Sequence, residues 1–363
     1  MRVVSLSYVA SNVTDPEAWL SRLSLFTGIL NRLTRFAAVA SFHCIAGNAV
    51  LSRGNVTYFF FRLLPGETWL PFRLHRRVKR WGPDVVIVHS LSFPLQVILL
   101  RLQFGRNIRI LVQDHKERPG HFLRQMLQRM ADRCVDAYLF TYTEQAQPWL
   151  KNRIIAHPRK VKQLFEGSSA FVPSDRDEAR RRTGVGPGVV YLWVGRLVAF
   201  KDPVTVVSAF LRFLKGDRKA DLYMIFQTTD LLNEIKALLD DHPDAASSIH
   251  LVGKVDHDEL VHWYNSADFF ILGSHDEGTN ISLCEAMSCG CIPIVTDIPA
   301  FREMTGNGKC GLLFPPGDKE RLLKTLVESV RLDLACEKQK TLNQFRSTLS
   351  FDAIAERLIK ILS

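Results

Sequence analysis

Short apolar runs alternate with longer amphipathic stretches twice along this 363-residue chain, and a polar segment separates the two series. This alternation is typical of βαβ units, in which helices cover both faces of a parallel sheet. In the first half, the runs that predict strands are Val3–Tyr8, Val56–Phe61, Val85–His89, Ile108–Gln113 and Ala137–Thr141. In the second half, they are Val189–Val194, Asp221–Phe226, Ser248–Val252, Phe269–Leu272, Ile292–Thr296 and Gly311–Phe314. We therefore expect an α/β protein with two doubly wound domains.

The stretches between these runs have helical periodicity, with apolar residues three or four positions apart. They predict helices at Trp19–Arg35, Pro71–Trp81, Phe122–Cys134, Asp202–Leu214, Leu231–Asp240, His257–Ser266, Ile281–Cys289, Pro299–Met304, Lys319–Leu332 and Phe351–Leu362. The segment 173–188 is polar, contains Gly and Pro, and has no strand pattern, so it predicts a linker. The expected organisation is an N-terminal domain at 1–172, a C-terminal domain at 189–350, and a last helix at 351–363 that packs back toward the N-terminal domain.

Composition excludes several classes of protein. The chain is 47% hydrophobic and 23% charged, as globular proteins are, which excludes a disordered or collagen-like chain. Its seven cysteines form no Cys-x-x-Cys pair, so a zinc ribbon is not indicated and reduced thiols are expected. No segment has the roughly 18–20 consecutive apolar residues of a membrane helix, and the N-terminus resembles a strand rather than a signal peptide. We therefore expect a cytoplasmic protein.

Positive charge is concentrated in the first half of the chain. Residues 1–170 hold 24 Lys+Arg and 10 Asp+Glu, a net charge of +14, whereas the remainder hold 23 and 27, a net of −4. The segment 71–81 interleaves cations with apolar residues, and these cations are Arg73, Arg76, Arg77, Lys79 and Arg80. Such a helix can lie on an anionic membrane or meet an acidic glycan or lipid-linked diphosphate, and it can equally be a solvated helix. No recognised nucleic-acid-binding module accompanies the charge, so nucleic acid is not the expected partner.

A first candidate site follows the strand that ends at Val194. Gly195 permits a tight turn, Arg196 and Lys201 follow it five positions apart, and a helix then begins near Pro203. Two cations at the carboxyl edge of a parallel strand suit a phosphate or diphosphate. The same pair could also be solvated surface charges.

A second candidate site consists of two glutamates that lie eight positions apart, the second of them in a predicted helix. Glu277 lies in the loop after Phe269–Leu272, and Glu285 lies among small and apolar neighbours in the following helix. Burying a carboxylate is costly without a partner, and the hydroxyls of a polyol ligand would supply one. The start of that helix, around Thr279 and Asn280, offers free backbone N–H groups to an anion. The alternative is an exposed glutamate on the edge of the helix.

Two histidines and two acidic triplets give weaker signals. His115 and His89 follow strands of the first domain, where either could contact a substrate, although histidines there also serve as packing or capping residues. The triplets at 175–177 and 256–258 have the Asp-x-Asp spacing of a metal site, but both read as structural. The sequence therefore predicts no metal site.

The combination of these motifs resembles the family 4 glycosyltransferases of the GT-B fold, in which two Rossmann-like domains face each other across a cleft. The matching segments are VGRLVAFK (194–201), VGKVDHDELVHWYNSADFFIL (252–272), EGTNISLCEAMSCGCIPIVT (277–296) and GLLFPPGD (311–318). In the first domain, GPDVVIVHS (82–90) and LFEGSSAFVP (164–173) fit the same layout more loosely.

The resemblance implies roles for individual residues. Arg196, Lys201 and the backbone at Thr279 and Asn280 would bind the diphosphate of a nucleotide-sugar donor. Glu277 would contact the transferred sugar, and Glu285 the ribose hydroxyls. A neutral His115 would meet the donor sugar near the reacting carbon.

The resemblance also implies a retaining, metal-independent transfer of a hexose-type sugar to a hydroxyl of a glycan or lipid-linked acceptor. The setting would be cell-surface polysaccharide or glycoconjugate synthesis, in the cytoplasm or at the inner face of the membrane. No cofactor is expected beyond the donor, and no motif separates UDP from GDP. The alternatives are a nucleotide-sugar epimerase of the same fold and a non-catalytic nucleotide-sugar-binding protein.

Two segments depart from the family pattern. The loop Val9–Asp15 after the first strand contains no glycine, and the segment 226–230 lacks the Gly-x-Gly that is common after that strand. The first departure concerns the acceptor side of the fold. Neither departure involves the charged residues of the donor site.

Overall fold

The computed structural model describes residues 1–216 and 219–362. The chain divides into two compact units, of which unit 1 comprises Met1–Ser168 together with the C-terminal helix, and unit 2 comprises Ser169–Ser350. Residues 217 and 218 of the predicted domain 189–350, and the last residue of the predicted segment 351–363, lie outside the described residues.

Within the described part of unit 1, eight strands form one sheet in the order β3-β4-β2-β1-β5-β6-β7-β8. The strands are β1 (Arg2–Ala10), β2 (Ala38–Cys44), β3 (Ala49–Arg53), β4 (Val56–Phe61), β5 (Val85–His89), β6 (Arg109–Gln113), β7 (Ala137–Phe140) and β8 (Val161–Gln163). Neighbouring strands are parallel except β3 and β4, which form an antiparallel pair at one edge. β5 reads Val-Val-Ile-Val before its final His89, as expected for a strand buried on both faces.

Six helices of unit 1 connect or flank these strands in the described chain. They are α1 (Pro16–Arg22), α2 (Ser24–Leu33), α3 (Phe72–Trp81), α4 (Pro94–Phe104), α5 (Phe122–Asp132) and α6 (Gln147–Lys151). α4 and α5, which follow β5 and β6, pack against each other. The apolar side chains of the strands and the inner faces of these helices form the core of unit 1.

In unit 2, the described residues form a parallel sheet in the order β11-β10-β9-β12-β13-β14. Its strands are β9 (Val189–Gly195), β10 (Ala220–Phe226), β11 (Ile249–Gly253), β12 (Phe269–Leu272), β13 (Ile292–Thr296) and β14 (Leu312–Phe314). This is the 3-2-1-4-5-6 strand order of dinucleotide-binding α/β folds. The order reverses direction between β9 and β12, which are neighbours in the sheet.

The helices of unit 2 lie between and after these strands. Those described are α7 (Arg176–Thr183), α8 (Pro203–Leu214), α9 (Leu232–Asp240), α10 (Pro243–Ala246), α11 (Leu260–Ser266), α12 (Ile281–Ser288), α13 (Pro299–Thr305), α14 (Lys319–Ser329) and α15 (Leu334–Gln344). A short π-helical turn, Phe345–Leu349, follows α15 and ends the unit.

The C-terminal helix α16 (Phe351–Leu362) belongs to unit 1, where it packs on α2. A Cβ atom at Gly28 would lie 2.5 Å from the ring of Phe351, so glycine allows the two helices to approach closely. Arg35 forms an ion pair with Asp352 at the start of α16, and the guanidinium of Arg109 donates to the carbonyl of Ile361 at its end (3.0 Å). Both ends of α16 are therefore attached to unit 1.

The segment 173–188, which the sequence predicted to be a linker, contains α7 and lies inside unit 2. The side chain of Asp175 caps this helix by accepting from the amide of Glu178 (2.7 Å). The guanidinium of Arg180 is buried and donates to the carbonyls of Gly186 and Gly188. The polar residues that indicated a linker instead cap a helix and make buried contacts, which composition does not show.

Other differences from the predicted elements are local. β2 was missed because Ser41 and His43 interrupt its apolar pattern, yet both are buried and lie 2.8 Å apart through Oγ and Nε2. The predicted helix Trp19–Arg35 is two helices that meet at Leu23. Further elements that were not predicted are β3, β8, α4, α6, α10 and α15.

None of the helices in the described ranges combines the length and the apolar character needed to cross a membrane.

Candidate functional site

The candidate site of unit 2 lies where the strand order reverses. In open α/β sheets, ligands bind outside the carboxyl ends of the strands at such a point. The loop after β9 carries Arg196 and Lys201, and the loop after β12 carries Glu277, Thr279 and Asn280. The topology therefore brings together two motifs that lie about 80 positions apart in the sequence.

Backbone and side-chain contacts join these two loops. The amide of His275 donates to the carbonyl of Phe200 (2.8 Å), and Nε2 of His275 lies 3.0 Å from Oδ2 of Asp202. Asp202 adopts a left-handed conformation (φ 45°) and also caps α8. A Cβ atom at Gly273 would lie 2.8 Å from the carbonyl oxygen of Asp202, so this close approach requires glycine. These contacts hold the two loops together at the carboxyl edge of the unit 2 sheet.

Lys201 and Glu277 form a hydrogen-bonded ion pair across this edge. The two side chains are only 13% and 10% exposed, respectively. The sequence suggested separate roles for them, and the structure shows that they are partners. A lysine ammonium has three donors, so Lys201 retains donor capacity beyond its bond to Glu277.

Arg196 is the exposed member of the predicted cation pair. Its guanidinium lies 5.5 Å from the ring centre of Phe200, and Nζ of Lys201 lies 5.5 Å from the same ring. Within residues 1–216 and 219–362, no carboxylate forms an ion pair with Arg196. Its charge is therefore free to meet an anion at the edge where Lys201 is held.

The N-terminus of α12 completes this edge. Asn280 caps the helix, since its side chain accepts from the amide of Leu283 (2.8 Å). The amides of Ile281 and Ser282, in the first turn, have no acceptor within the helix. A helix N-terminus with such amides favours a negatively charged ligand. The side chain of Asn280 thus has a structural task, and Thr279 precedes it at the same end of the helix.

Glu285 is buried in α12 and has two protein partners. Nε2 of His257 donates to one carboxylate oxygen (2.7 Å), and the hydroxyl of Tyr264 donates to the other (2.9 Å). The hydrogen bond between His257 and Glu285 outweighs the effect of partial burial and raises the pKa of His257. Glu285 therefore has protein partners that the sequence did not predict, besides the ligand hydroxyls that it was expected to bind. His257 belongs to the triplet 256–258, which the sequence indicated only as the start of a helix. It lies in the turn just before α11, and its contact with Glu285 depends on the folded structure.

In unit 1, His115 lies two residues beyond the end of β6 and is hydrogen-bonded through Nδ1 to Glu166. Its Nε2 lies 3.1 Å from Nδ1 of His89, whose Nε2 lies 2.9 Å from Oγ of Ser5. The two imidazole rings are stacked, with centres 5.3 Å apart. Both histidines noted in the sequence thus belong to one chain of hydrogen bonds. Glu166 was not identified from the sequence, because it is 51 positions from His115.

The two histidines have opposite electrostatic surroundings. Burial lowers the pKa of His115, but the hydrogen bond and charge of Glu166, with the charge of Glu117, outweigh it and raise the pKa overall. Burial and then the charge of His115 hold the pKa of His89 well below its usual range. A protonated His115 can therefore donate to Glu166 and to a neutral His89. The raised pKa of His115 favours the protonated imidazole, whereas the sequence predicted a neutral one.

Two further carboxyl groups lie beside His115. Burial, and next the neighbouring Glu117, raise the pKa of Asp114 to about 8. Burial raises the pKa of Glu117, but hydrogen bonds from Asp114, Ser90 and the amide of His115 outweigh it, and the net pKa is lowered. The proton of this pair therefore resides on Asp114, and the negative charge on Glu117.

The five cations of the predicted basic patch lie on the exposed side of α3, while Leu74, His75 and Val78 face the core. Three of them have neighbours: Arg73 pairs with Glu67 (3.4 Å), Lys79 donates to the carbonyl of Gln103 (2.7 Å), and Arg77 lies over the ring of Phe59. Arg76 and Arg80 make no ion pair in the described part of the chain. The core side of the helix accounts for Leu74 and Val78, whereas Phe72 is exposed.

Among the described residues, no group of three or more His, Cys, Asp or Glu side chains is arranged to hold a metal ion.

Residues 188–331 match the family model described as "Glycosyl transferases group 1". A D-inositol 3-phosphate glycosyltransferase of Frankia alni is 26% identical over 283 residues, which is 75% of this chain and 66% of that protein. The chain spans less than two thirds of the length of this and two further curated relatives.

Solved structures match the whole chain. A glycosyltransferase from Rickettsia africae superposes with a TM-score of 0.75 at 13% identity, covering 99% of this chain and 97% of that one. Anabaena HepE in complex with UDP superposes with a TM-score of 0.72 at 13% identity, covering 100% and 99%. The chain has the GT-B fold. This fold consists of two Rossmann-like α/β units, as described above for units 1 and 2.

The His115–Glu166 contact generates a prediction for nuclear magnetic resonance. In Glu166→Gln, the pKa of His115 should fall, because burial would no longer be opposed by the carboxylate. Imidazole resonances followed across a pH titration measure this. His257 is the internal control, since its partner Glu285 is untouched and its raised pKa should persist. An unchanged His115 titration in this variant would show that Glu166 does not set its protonation.

Proposed function

We propose that this protein is a retaining, metal-independent glycosyltransferase. It moves a hexose-type sugar from a nucleotide-diphosphate sugar to a hydroxyl of a glycan or lipid-linked acceptor. The observation that most supports this is the edge formed by Arg196, the Lys201–Glu277 pair and the N-terminus of α12. It lies where the strand order of unit 2 reverses, inside the segment that matches the glycosyl transferases group 1 model.

The donor fits this edge by charge. A diphosphate would lie against Arg196, Lys201 and the first-turn amides of α12, and the transferred sugar would donate hydroxyl hydrogen bonds to Glu277. The carboxylate of Glu285 has lone pairs beyond those used by His257 and Tyr264, so ribose hydroxyls could donate to it. UDP and GDP donors both suit this description.

The reaction proceeds with charge separation at the sugar. As the bond from the anomeric carbon to the phosphate oxygen breaks, its electron pair leaves with the nucleoside diphosphate and the sugar becomes oxocarbenium-like. Arg196, Lys201 and the helix N-terminus stabilise the leaving diphosphate in the role that a metal ion has elsewhere. The acceptor hydroxyl attacks from the face that the leaving group departs, and its proton passes to the leaving phosphate. This keeps the anomeric configuration.

Unit 1 would supply the acceptor side and His115. A protonated imidazole beside a forming oxocarbenium ion would be unfavourable by itself. The pair of His115 and Glu166 has no net charge when both are ionised, so a protonated His115 adds no net positive charge at this edge of unit 1. Glu166 is therefore a positioning residue for His115 in this proposal.

Two alternatives differ in their products. A nucleotide-sugar epimerase would isomerise the donor without an acceptor. A non-catalytic binding protein would hold the donor and turn nothing over. A glycosyltransferase would release a nucleoside diphosphate when an acceptor is present, or slowly by hydrolysis.

Arg196→Ala and Lys201→Ala should each remove most donor turnover, by roughly 100-fold if each cation stabilises the leaving group as other preorganised charges do. Release of nucleoside diphosphate from a panel of UDP- and GDP-sugars measures this. Arg212→Ala is the matched control, because Arg212 is an exposed arginine of unit 2 that pairs with Glu320.

Thermal unfolding checks that the variants fold. If Lys201→Ala is unstable, the double variant Lys201→Met with Glu277→Gln replaces it in the turnover assay. Full activity in both cation variants would contradict the diphosphate assignment.

We further propose that the protein works in the cytoplasm at the inner face of a membrane, in polysaccharide or glycoconjugate synthesis. The exposed cations of α3 support an anionic surface as partner. No nucleic acid is needed to account for the charge.

Replacing Arg76, Arg77 and Arg80 by glutamine should reduce the fraction of protein that sediments with anionic vesicles. Each cation contributes about 1 kcal/mol near such a surface, and the effect should weaken with added salt. Replacing Arg181 and Arg182 of α7 in the same way is the control. An unchanged vesicle-bound fraction in the α3 variant would contradict this membrane contact.

A further inference from the structure

A groove with a volume of about 520 Å³ lies on unit 1, between the segment before α3, the start of α4, and α5. This volume is within the roughly 300–1,000 Å³ of typical ligand pockets. Its apolar lining consists of Trp69, Phe93, Pro94, Leu95, Leu123 and Leu127. Gln96 donates to the carbonyl of Thr68 (2.6 Å) and so attaches the segment before α3 to α4.

The surface around the groove exposes large apolar side chains. Trp69 is 67% exposed, and Phe122 and Leu123 at the start of α5 are 68% and 70% exposed. Leu70 and Met126 add to this surface. Large apolar side chains gathered in one place in contact with water mark a binding site more often than scattered ones do.

The groove lies near the carboxyl end of β5. Ser92 and Phe93, which line it, come three and four positions after His89, the last residue of β5. Arg124 of α5 donates to the carbonyl of Ser92 (3.0 Å), and Ser90 hydrogen-bonds to Glu117 next to His115. A molecule in the groove would therefore have one end at the carboxyl edge of the unit 1 sheet, where the proposed function places the acceptor.

Positive charge predominates beside the groove, although Glu67, next to Thr68, pairs with Arg73. Arg124 lines the groove, and Trp69 leads through Pro71 directly into α3 with its exposed cations. An apolar groove with cations at its margin matches an amphiphile that has a hydrocarbon chain and an anionic head. A glycan acceptor without a chain would leave the apolar lining in contact with water.

We propose that this groove binds the hydrocarbon chain of an anionic lipid, and that this lipid is the acceptor. The role of this lipid as acceptor rests on the proposed function. Binding of the lipid in the groove can be tested without any transfer reaction. The cations of α3 hold the anionic head, and the chain lies between α4 and α5 along Leu123 and Trp69.

The probe is dioctanoylphosphatidylglycerol, kept below its critical micelle concentration and titrated into the full-length protein by calorimetry. Glycerol 3-phosphate, which has an anionic head but no chain, is titrated in parallel, as is the zwitterionic phosphatidylcholine of the same chain length. The phosphatidylglycerol should bind at least tenfold more tightly than either.

Leu123→Asp should weaken binding of the phosphatidylglycerol at least tenfold, because a carboxylate would then line the chain site. Leu102→Asp is the matched control: Leu102 lies on α4, is 75% exposed, and is not among the residues that line the groove. The affinity of the Leu102→Asp variant for the phosphatidylglycerol should change less than twofold. Leu123 is exposed, so its substitution should not unfold the protein, and thermal unfolding checks this. Trp69→Ala tests the opposite wall.

Any one of the following results would overturn the proposal. Equal losses in Leu123→Asp and Leu102→Asp would indicate a general apolar surface, and equal binding of glycerol 3-phosphate would indicate a polar site. A dimer in sedimentation velocity that Leu123→Asp dissociates would indicate a second copy in the groove. Calorimetry with UDP and GDP separates the two proposals: nucleotide binding without lipid binding overturns only this one, and lipid binding without nucleotide binding overturns the proposed function.

Discussion

The ion pair of Lys201 and Glu277 is the interaction on which the candidate site depends. Both side chains are largely withdrawn from water, and removing one partner of such a pair leaves an uncompensated charge at a cost of about 3–5 kcal/mol. The pair therefore holds the loop after β9 against the loop after β12. The approach of Gly273 to Asp202 and the bond from His275 to Phe200 brace the same junction. Arg196 and the N-terminus of α12 are placed relative to each other by these contacts.

Two buried or partly buried clusters, one in each unit, hold their charged groups against protein partners. Glu285 is held by His257 and Tyr264, and His115 by Glu166 and His89. Each pair gives a ligand a directed donor or acceptor while keeping the local net charge small. For a reaction that creates opposite charges on a sugar and a diphosphate, groups held in this way need little rearrangement as the charges develop.

The sequence predicted the fold well where the hydrophobic pattern was unbroken. β4, β5, β12 and β13 have the predicted bounds, because their apolar runs begin and end sharply. The pattern did not reveal β2, whose buried Ser41 and His43 satisfy each other, or α7, whose arginines are used inside unit 2. Contacts such as Glu166 with His115 and His257 with Glu285 join residues that are far apart in sequence. Strand order and helix packing create these contacts, so the spacing of residues in the sequence cannot predict them.

We propose that the edge of unit 2 binds a nucleoside diphosphate through Arg196, Lys201 and the N-terminus of α12, with no metal ion. The most direct measurement is calorimetric titration of UDP and GDP into the wild-type protein in the presence of EDTA. We expect at least one of the two nucleotides to bind, with an affinity that falls with added salt because charges are paired on binding. Binding that requires added Mg²⁺, or no binding of either nucleotide, would contradict it.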